Sequence, residues 1–341
     1  MSGRARADWF TMNGMEANGM ETNGTGTNGT TMRAISQDVL GGPEVLREVE
    51  LERPVPRANE VLVRVRAAGL NPTDWKHRAG GLFLGQPPFV LGWDVSGVVE
   101  ATGVGASLFR PGDEVFGMLS YPFGHGSHAE YVTAPARVFA PKPTGIDHIQ
   151  AGAMPLVSLT AWQALVERAD LRAGQRVLVH AAAGGVGHVA VQIAKARGAY
   201  VFGTASAGKH DFLRGIGVDE PVDYHSTDFT EAARDVDVVL DPIGGETSLR
   251  SLRVLRPGGI VVSIVPAGSD DLYREAGRLG VRAVRMLVDA DHHGMRRIAR
   301  LVDEGGLRAT IAGTFPLAEA ARAHEAGETG RTTGKLVLLM D

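Results

Sequence analysis

Two rhythms of apolar and polar residues divide the chain. In "EVLVRVRAAGL" (60–70), Val and Leu alternate with polar neighbours, the period-two pattern of a half-buried strand. "VSGVVEATG" (95–103) and "DEVFGML" (113–119) continue it, with Gly, Pro and Asp between them as turn signals. Near Leu156 the rhythm changes. "RVLVHA" (176–181) is a short apolar run that leads through glycines into the helical "HVAVQIAKARG" (188–198). "YVFGTAS", "VDVVLD" and "GGIVVSIV" read as further buried strands, so strand and helix alternate as they do around a parallel sheet covered on both faces. Beyond about residue 290 the pattern predicts two amphipathic helices and a closing strand, "KLVLLM". Residues 12–30 follow neither rhythm. Asn-Gly recurs there every five residues with few apolar anchors, which predicts a disordered, solvated tail and order from near Met32.

Composition narrows the function. A chain of 341 residues accommodates two domains, and 44% hydrophobic residues supply a sizeable core. A net charge of -4 without any Lys/Arg-rich run argues against nucleic acid and for a small-molecule partner. No apolar run reaches bilayer-spanning length, and none follows Arg4 and Arg6, so a cytoplasmic chain with no membrane partner is expected. The absence of cysteine excludes disulfides, thiol catalysis and cysteine-ligated zinc. Only five lysines accompany 30 arginines, a hint that each lysine sits where a compact ammonium suits better than a guanidinium.

"VLVHAAAGGVGHVAVQIAKARGA" (177–199) carries the sharpest local signal. Ala182, Gly184 and Gly187 have the spacing of a G-x-G-x-x-G fingerprint with Ala in first place. Gly184 lets the backbone approach a pyrophosphate, Gly187 lets the helix pack on the strand, and the amides from Gly185 and Val186 onward form the positive helix end. The turn follows an apolar strand and opens a helix, as a dinucleotide site requires. The end of the next strand, "GTASAGKH", offers Ser206 and Lys209 and no acid before Asp211. A hydroxyl and an ammonium suit a ribose 2′-phosphate, so NADPH is expected rather than NADH.

With these residues in view, the chain resembles the medium-chain dehydrogenase/reductase superfamily, in its zinc-independent quinone oxidoreductase and enoyl reductase branch. The resemblance runs from about residue 32 to 341 and rests on "GLNPTDWKHRAG", "LGWDVSGVVEATG", "PGDEVFGM", "GSHAEYV", "AAAGGVGHVAVQIAKARGA", "VDVVLDPIGG", "LRPGGIVVSI" and "TGKLVLL". It implies an α/β fold: a β-rich GroES-like catalytic domain (32–156 with 290–341) and an inserted Rossmann domain with a doubly wound parallel sheet (157–289). It also implies that Ser206, Lys209 and Tyr224 hold the 2′-phosphate end of NADPH, with Arg331 and Lys335 as further candidates. Thr160 is then beside the nicotinamide, and Asn71, Ile264, Val265 and Val288 belong to the cofactor cleft. Where zinc-dependent relatives carry a ligating cysteine this chain has the Asn71 region, and Gly92-Trp93-Asp94 replaces Gly-His-Glu. No metal is expected, the "GHGSH" pair His125 and His128 included. "VRAVRMLV" resembles the strand edge through which relatives dimerise, so a homodimer is possible.

"NPTDWKH" (71–77) has a structural explanation of its own: Asn71 as N-cap, Pro72 at N1 and Asp74 as the N3 acceptor. Lys76 stands about 200° from Asp74 around a helix, which leaves it or Trp75 to face a cleft. "NPxDWK" also resembles trans-acting enoyl reductases of polyketide assembly. The implied reaction is hydride addition to the β-carbon of an α,β-unsaturated carbonyl, or to a quinone, with donors meeting the charge on oxygen. Lys76 and Tyr121 are the candidate donors, with His125 behind them. Trp75, Trp93, Phe123 and Met286 are candidate walls of an apolar pocket for an enone, enal, quinone or polyene. Two alternatives stay open: a polyene tailoring reductase that cyclises its substrate, and an NADPH-binding protein without catalysis.

Overall fold

The computed structural model describes residues 31–265 and 270–340. The expected solvated tail therefore lies, for residues 1–30, outside the described residues. The first strand opens at Thr31, one position before the expected onset of order.

Sixteen strands form three sheets among the described residues. A small sheet joins β1 (Thr31–Gln37), β2 (Arg47–Glu52) and β4 (Phe89–Val90). A larger one is built from β3 (Glu60–Gly69), β5 (Asp94–Thr102), β6 (Glu114–Met118), β7 (Tyr131–Pro135), β8 (Phe139–Pro141), β15 (Ile311–Pro316) and β16 (Lys335–Leu339). Its pairings are antiparallel except for β15 with β16. Strand β16 returns from the end of the chain to pair with β3, Leu338 opposite Ala68. The alternation of "EVLVRVRAAGL" is real but incomplete: most of β3 is buried because neighbouring elements cover both of its faces.

The third sheet is wholly parallel: β9 (Arg176–Val179), β10 (Tyr200–Ala205), β11 (Glu220–Asp223), β12 (Val236–Asp241), β13 (Leu255–Ser263) and β14 (Arg282–Arg285). Its spatial order is β11-β10-β9-β12-β13-β14, the doubly wound order 3-2-1-4-5-6 in which the chain reverses direction between β9 and β12. Ligands of such sheets bind outside the carboxyl ends of the strands at that crevice. Every residue of β12 is buried, as a central parallel strand covered by helices demands. One apolar cluster joins the sheet systems, from Val63 and Phe116 through Leu159 to Val191 and Leu338. Strand β14 is an edge. Among the described residues no helix is long and apolar enough to cross a membrane.

Candidate active site

Strand β9 runs into a tight turn in which Ala181 takes a left-handed φ of 47°. The Ala182 amide donates to Thr204 O (2.9 Å) and the Gly184 amide to Ala181 O (2.8 Å), which ties the turn to β10. Gly184 then caps the helix Gly185–Ala196 with no side-chain hydrogen bond, so its first amides stay available to an anion. Gly187 sits where helix and strand nearly touch: a Cβ there would stand 2.2 Å from Ala181 O. His188 fixes the helix from the other side. Its Nδ1 donates to Gly184 O (2.8 Å) and its Nε2 accepts from the Thr310 amide (3.1 Å), an imidazole that burial keeps neutral, its pKa pushed down to about 4.

The rest of the dinucleotide cleft assembles around this turn. Ser206 follows β10, and Lys209 Nζ donates to Arg331 O (3.0 Å), so two candidates far apart in the chain meet. Tyr224 is exposed beside the same strand end, its amide donating to Ala205 O (3.4 Å). Asp211, the nearest acid that follows in the chain, is engaged by Arg214 at 3.0 Å. Ile264 leaves β13 with its amide on Asp241 O (3.0 Å), next to Val265. Beyond β14, Gln163 clamps Asp289 through both backbone groups (2.8 and 3.0 Å) and so holds Val288 in place. Thr160 is buried, its hydroxyl donating to Leu156 O at 2.7 Å. A turn that a Cβ would fill and a helix end left uncapped fit a dinucleotide.

Across the cleft, Asn71 starts the entrance helix, Pro72–Gly80, and Asp74 accepts its amide at 2.6 Å. Thr73 and His77, one turn apart, share a face. His77 Nδ1 lies 2.8 Å from Thr73 O and 3.1 Å from Thr73 Oγ1, while the Phe83 amide donates to His77 Nε2 at 3.4 Å. Nε2 is therefore the acceptor and Nδ1 carries the proton; burial holds the ring neutral by lowering its pKa. That one proton has Thr73 O, the nearer, and Thr73 Oγ1 as acceptors, and Thr73 Oγ1 lies 3.0 Å from Tyr121 OH, a contact in which either hydroxyl can donate. When the threonine hydroxyl donates in that contact, the tyrosine proton is left for a ligand. Burial above all raises the Tyr121 pKa, so the group stays a donor. Around it, ring centroids of Trp93 and Phe83 lie 5.3 and 6.2 Å from Tyr121.

Several expectations need correction. Trp75 does not face this cluster: it packs against helix Ala320–Glu328, edge-on to His324 and so close to Gly327 that a Cβ there would meet the indole at 2.7 Å. Two residues beyond Thr73, a helix has turned about 200°. Trp93 is wholly buried with Nε1 on Pro122 O (3.2 Å), a floor rather than an open wall. Met286 is buried in the core, whereas Phe123 is 73% exposed. His125 Nδ1 is spent on Val90 O at 2.6 Å. Lys76 is exposed on the entrance helix, and its ammonium has no partner among the described residues.

Lys335 is the largest departure. A side chain expected at a phosphate is only 2% exposed, and its ammonium donates to Leu70 O (2.6 Å) and Asn71 Oδ1, 3.4 Å from Asp94 Oδ2. Asn71 Nδ2 donates to the same Asp94 oxygen (2.9 Å), so the Asn71 side chain is committed to this knot rather than to a cofactor. Strand pairing of β16 with β3 carries the lysine there.

Asp74 shares the knot, and desolvation pushes its pKa up to about 8, against the Asn71 amide and the Lys335 charge. Asp94, with Lys335, Asn71 and the Leu156 amide (2.6 Å) as partners, is the better-served carboxylate. A folded pKa above the unfolded 3.8 means stability that is whole below 3.8 and lost as pH rises through about 8. Asp74→Asn cannot ionise and keeps an acceptor for Asn71. Its Tm is expected to stay level from pH 5 to 9 while the parent's falls; a parent Tm that rises over that window removes the protonated Asp74.

Two family models match the chain: Alcohol dehydrogenase GroES-like domain over residues 57–144 and Zinc-binding dehydrogenase over residues 216–338. A 2-haloacrylate reductase from Burkholderia sp is 35% identical over 323 residues, 88% of this chain and 96% of the relative. The spectinabilin polyketide synthase system protein NorB of Streptomyces orinoci is 41% identical over 295 residues, 82% of this chain but 13% of that protein. Among solved structures, the quinone oxidoreductase from Coxiella burnetii superposes with a TM-score of 0.86 at 36% identity, covering 91% of this chain and all of the other. The Escherichia coli quinone oxidoreductase complexed with NADPH gives 0.83 at 29% identity, covering 90% and 100%. Despite the name of the second model, no group of three or more His, Asp or Glu among the described residues could hold a metal ion.

Proposed function

The chain belongs to the medium-chain dehydrogenase/reductase superfamily, in its zinc-independent quinone oxidoreductase branch, and we propose that it reduces activated C=C bonds or quinones with NADPH. It is an NAD(P)H-dependent oxidoreductase; the choice of NADPH and of the acceptor is our reading. The observation that carries it is the His77–Thr73–Tyr121 cluster, which sets a phenolic hydroxyl beside the Trp93 ring.

In this reading the antiparallel sheet (32–156 and 290–341) is the catalytic domain and the parallel sheet (157–289) the cofactor domain. Bound NADPH supplies the hydride. The amides from Gly185 to Gly187 meet the pyrophosphate. Ser206, Lys209, Tyr224 and the Arg331 segment take the 2′-phosphate end, and the segment clamped by Gln163 borders the nicotinamide. As an enone or quinone accepts hydride, charge grows on its oxygen, and Tyr121 is aimed to meet it. Lys76, exposed and with no side-chain partner among the described residues, is the second candidate donor. The open edge at β14 supports a homodimer.

The test is NADPH oxidation at 340 nm against enals, enones, quinones and conjugated polyenes, with NADH in parallel. Turnover with NADPH at least about tenfold better in kcat/KM than with NADH, a difference of ~1.4 kcal/mol, is the expected result. Tight NADPH binding without turnover on any acceptor would make this a binding protein. The likeness to a polyketide synthase system protein supports a polyketide acceptor, and a second reading is a tailoring reductase whose polyene substrate cyclises on reduction. Simple reduction and reductive cyclisation add the same two hydrogens, so product NMR, not mass, separates them.

A further inference from the structure

Lys335 joins segments that the reaction needs in register. Its amide donates to Thr310 O (2.8 Å), and the preceding Gly334 donates to Ala183 O (2.9 Å), so the start of β16 is stitched to the glycine-rich turn. Its stem then passes Gly185: a Cβ there would stand 3.4 Å from Lys335 Cδ and 3.4 Å from Val157 Cγ1. The ammonium ends, buried, on Leu70 O (2.6 Å) and Asn71 Oδ1, at the cap of the entrance helix. Beside it Asp94 opens β5, and its other oxygen accepts from Leu156 N (2.6 Å) in the helix Pro155–Trp162. Gly69 makes the approach possible, since a Cβ on it would lie 2.7 Å from Asp94 Oδ2.

We propose that Lys335 is a positioning residue that couples occupancy of the glycine-rich turn to the placement of the entrance helix, and through it of Thr73 and Tyr121. The proposal rests on the reading that a dinucleotide binds at residues 182–187. A wholly buried ammonium cannot drift from its carboxylate without leaving an uncompensated charge, so the knot specifies register more than it adds stability. The stem is the lever: a ligand that orders the first turn of the fingerprint helix orders the side chain lying against it. The ammonium passes that order to Asn71 and Asp94. Hydride transfer is sensitive to such placement, a displacement of about 1 Å costing about 100-fold.

Lys335→Met keeps the stem and removes the charge; paired with Asp94→Asn it leaves no orphan carboxylate partner. The double variant is expected to bind NADPH within about threefold of the parent (~0.65 kcal/mol). Its kcat should fall about 100-fold, with a larger primary isotope effect from 4-deuterated NADPH as hydride transfer becomes limiting. A folded double variant with parental kcat overturns the proposal. A second measurement uses the parent protein and 2′-phospho-ADP-ribose, which lacks the nicotinamide ring. Amide exchange is expected to slow in 69–80 as well as in 182–190. Protection of 182–190 alone overturns the coupling, and no protection in either by this probe or by NADPH overturns the cofactor reading with it.

Discussion

Gly187→Ala is expected to weaken NADPH binding by at least about 100-fold, about 2.7 kcal/mol, and to remove turnover with it. The added Cβ would lie 2.2 Å from Ala181 O, 2.7 Å from Ala182 Cα and 2.9 Å from Ala181 C. All three are backbone atoms, so no side chain can swing aside. Ala181 already holds a left-handed φ of 47°, which leaves the turn little room to yield. The helix must back away from β9, and the amides meant for the pyrophosphate move with it. Overpacking of this kind costs about 1–3 kcal/mol, so Tm falls as well. Gly184→Ala is the control for packing alone: its Cβ meets only Ala181 O, at 3.2 Å, so Tm is expected to hold although the residue lies where the pyrophosphate approaches. Thermal melts separate the two, and fluorescence titration reads NADPH binding in each. A Gly187→Ala protein that binds NADPH within threefold of the parent removes this turn from the cofactor site.

That turn was legible in the sequence because its chemistry is contiguous: strand, glycines and helix lie within 177–199. The entrance helix was legible for the same reason, since the Asn71–Asp74 cap is a contact three residues long. What the cap encloses was not. Asp74 is a common surface capping residue, and nothing in "NPTD" tells that β16 will bury it beside Lys335, 264 residues from Asn71. The lysine's rarity in an arginine-rich chain marked it, but its address depended on the pairing of Leu338 with Ala68. Thr73 and His77 were missed for a different reason. The 3.6-residue wheel that set Asp74 against Lys76 also places positions 73 and 77 on one face, and that signal was available. Their meaning comes only with Tyr121, brought to Thr73 from 48 residues away. The same wheel turns Trp75 out of the cleft and onto Gly327.

Tyr121→Phe is expected to lower kcat/KM for enones about 100-fold or more, the loss usual for one oxyanion donor, while NADPH binding stays at the parental value. Phenylalanine keeps the ring contacts with Trp93 and Phe83 and removes only the hydroxyl. Since burial raises the Tyr121 pKa above 10.0, the donor is fully protonated at neutral pH and its role should show no titration from pH 6 to 9. Thr73→Val tests orientation separately. It leaves the phenol but removes its 3.0 Å partner, so a loss of about tenfold (~1.4 kcal/mol) is expected, between parent and Tyr121→Phe. Lys76→Ala supplies the counter-test, because an exposed ammonium with no partner among the described residues is the second candidate donor. If Tyr121→Phe keeps its kcat/KM and Lys76→Ala does not, the charge on the substrate oxygen is met by the lysine. If both fall and the double variant falls by the product of the two, the donors act independently; a departure from the product shows that they share the substrate oxygen.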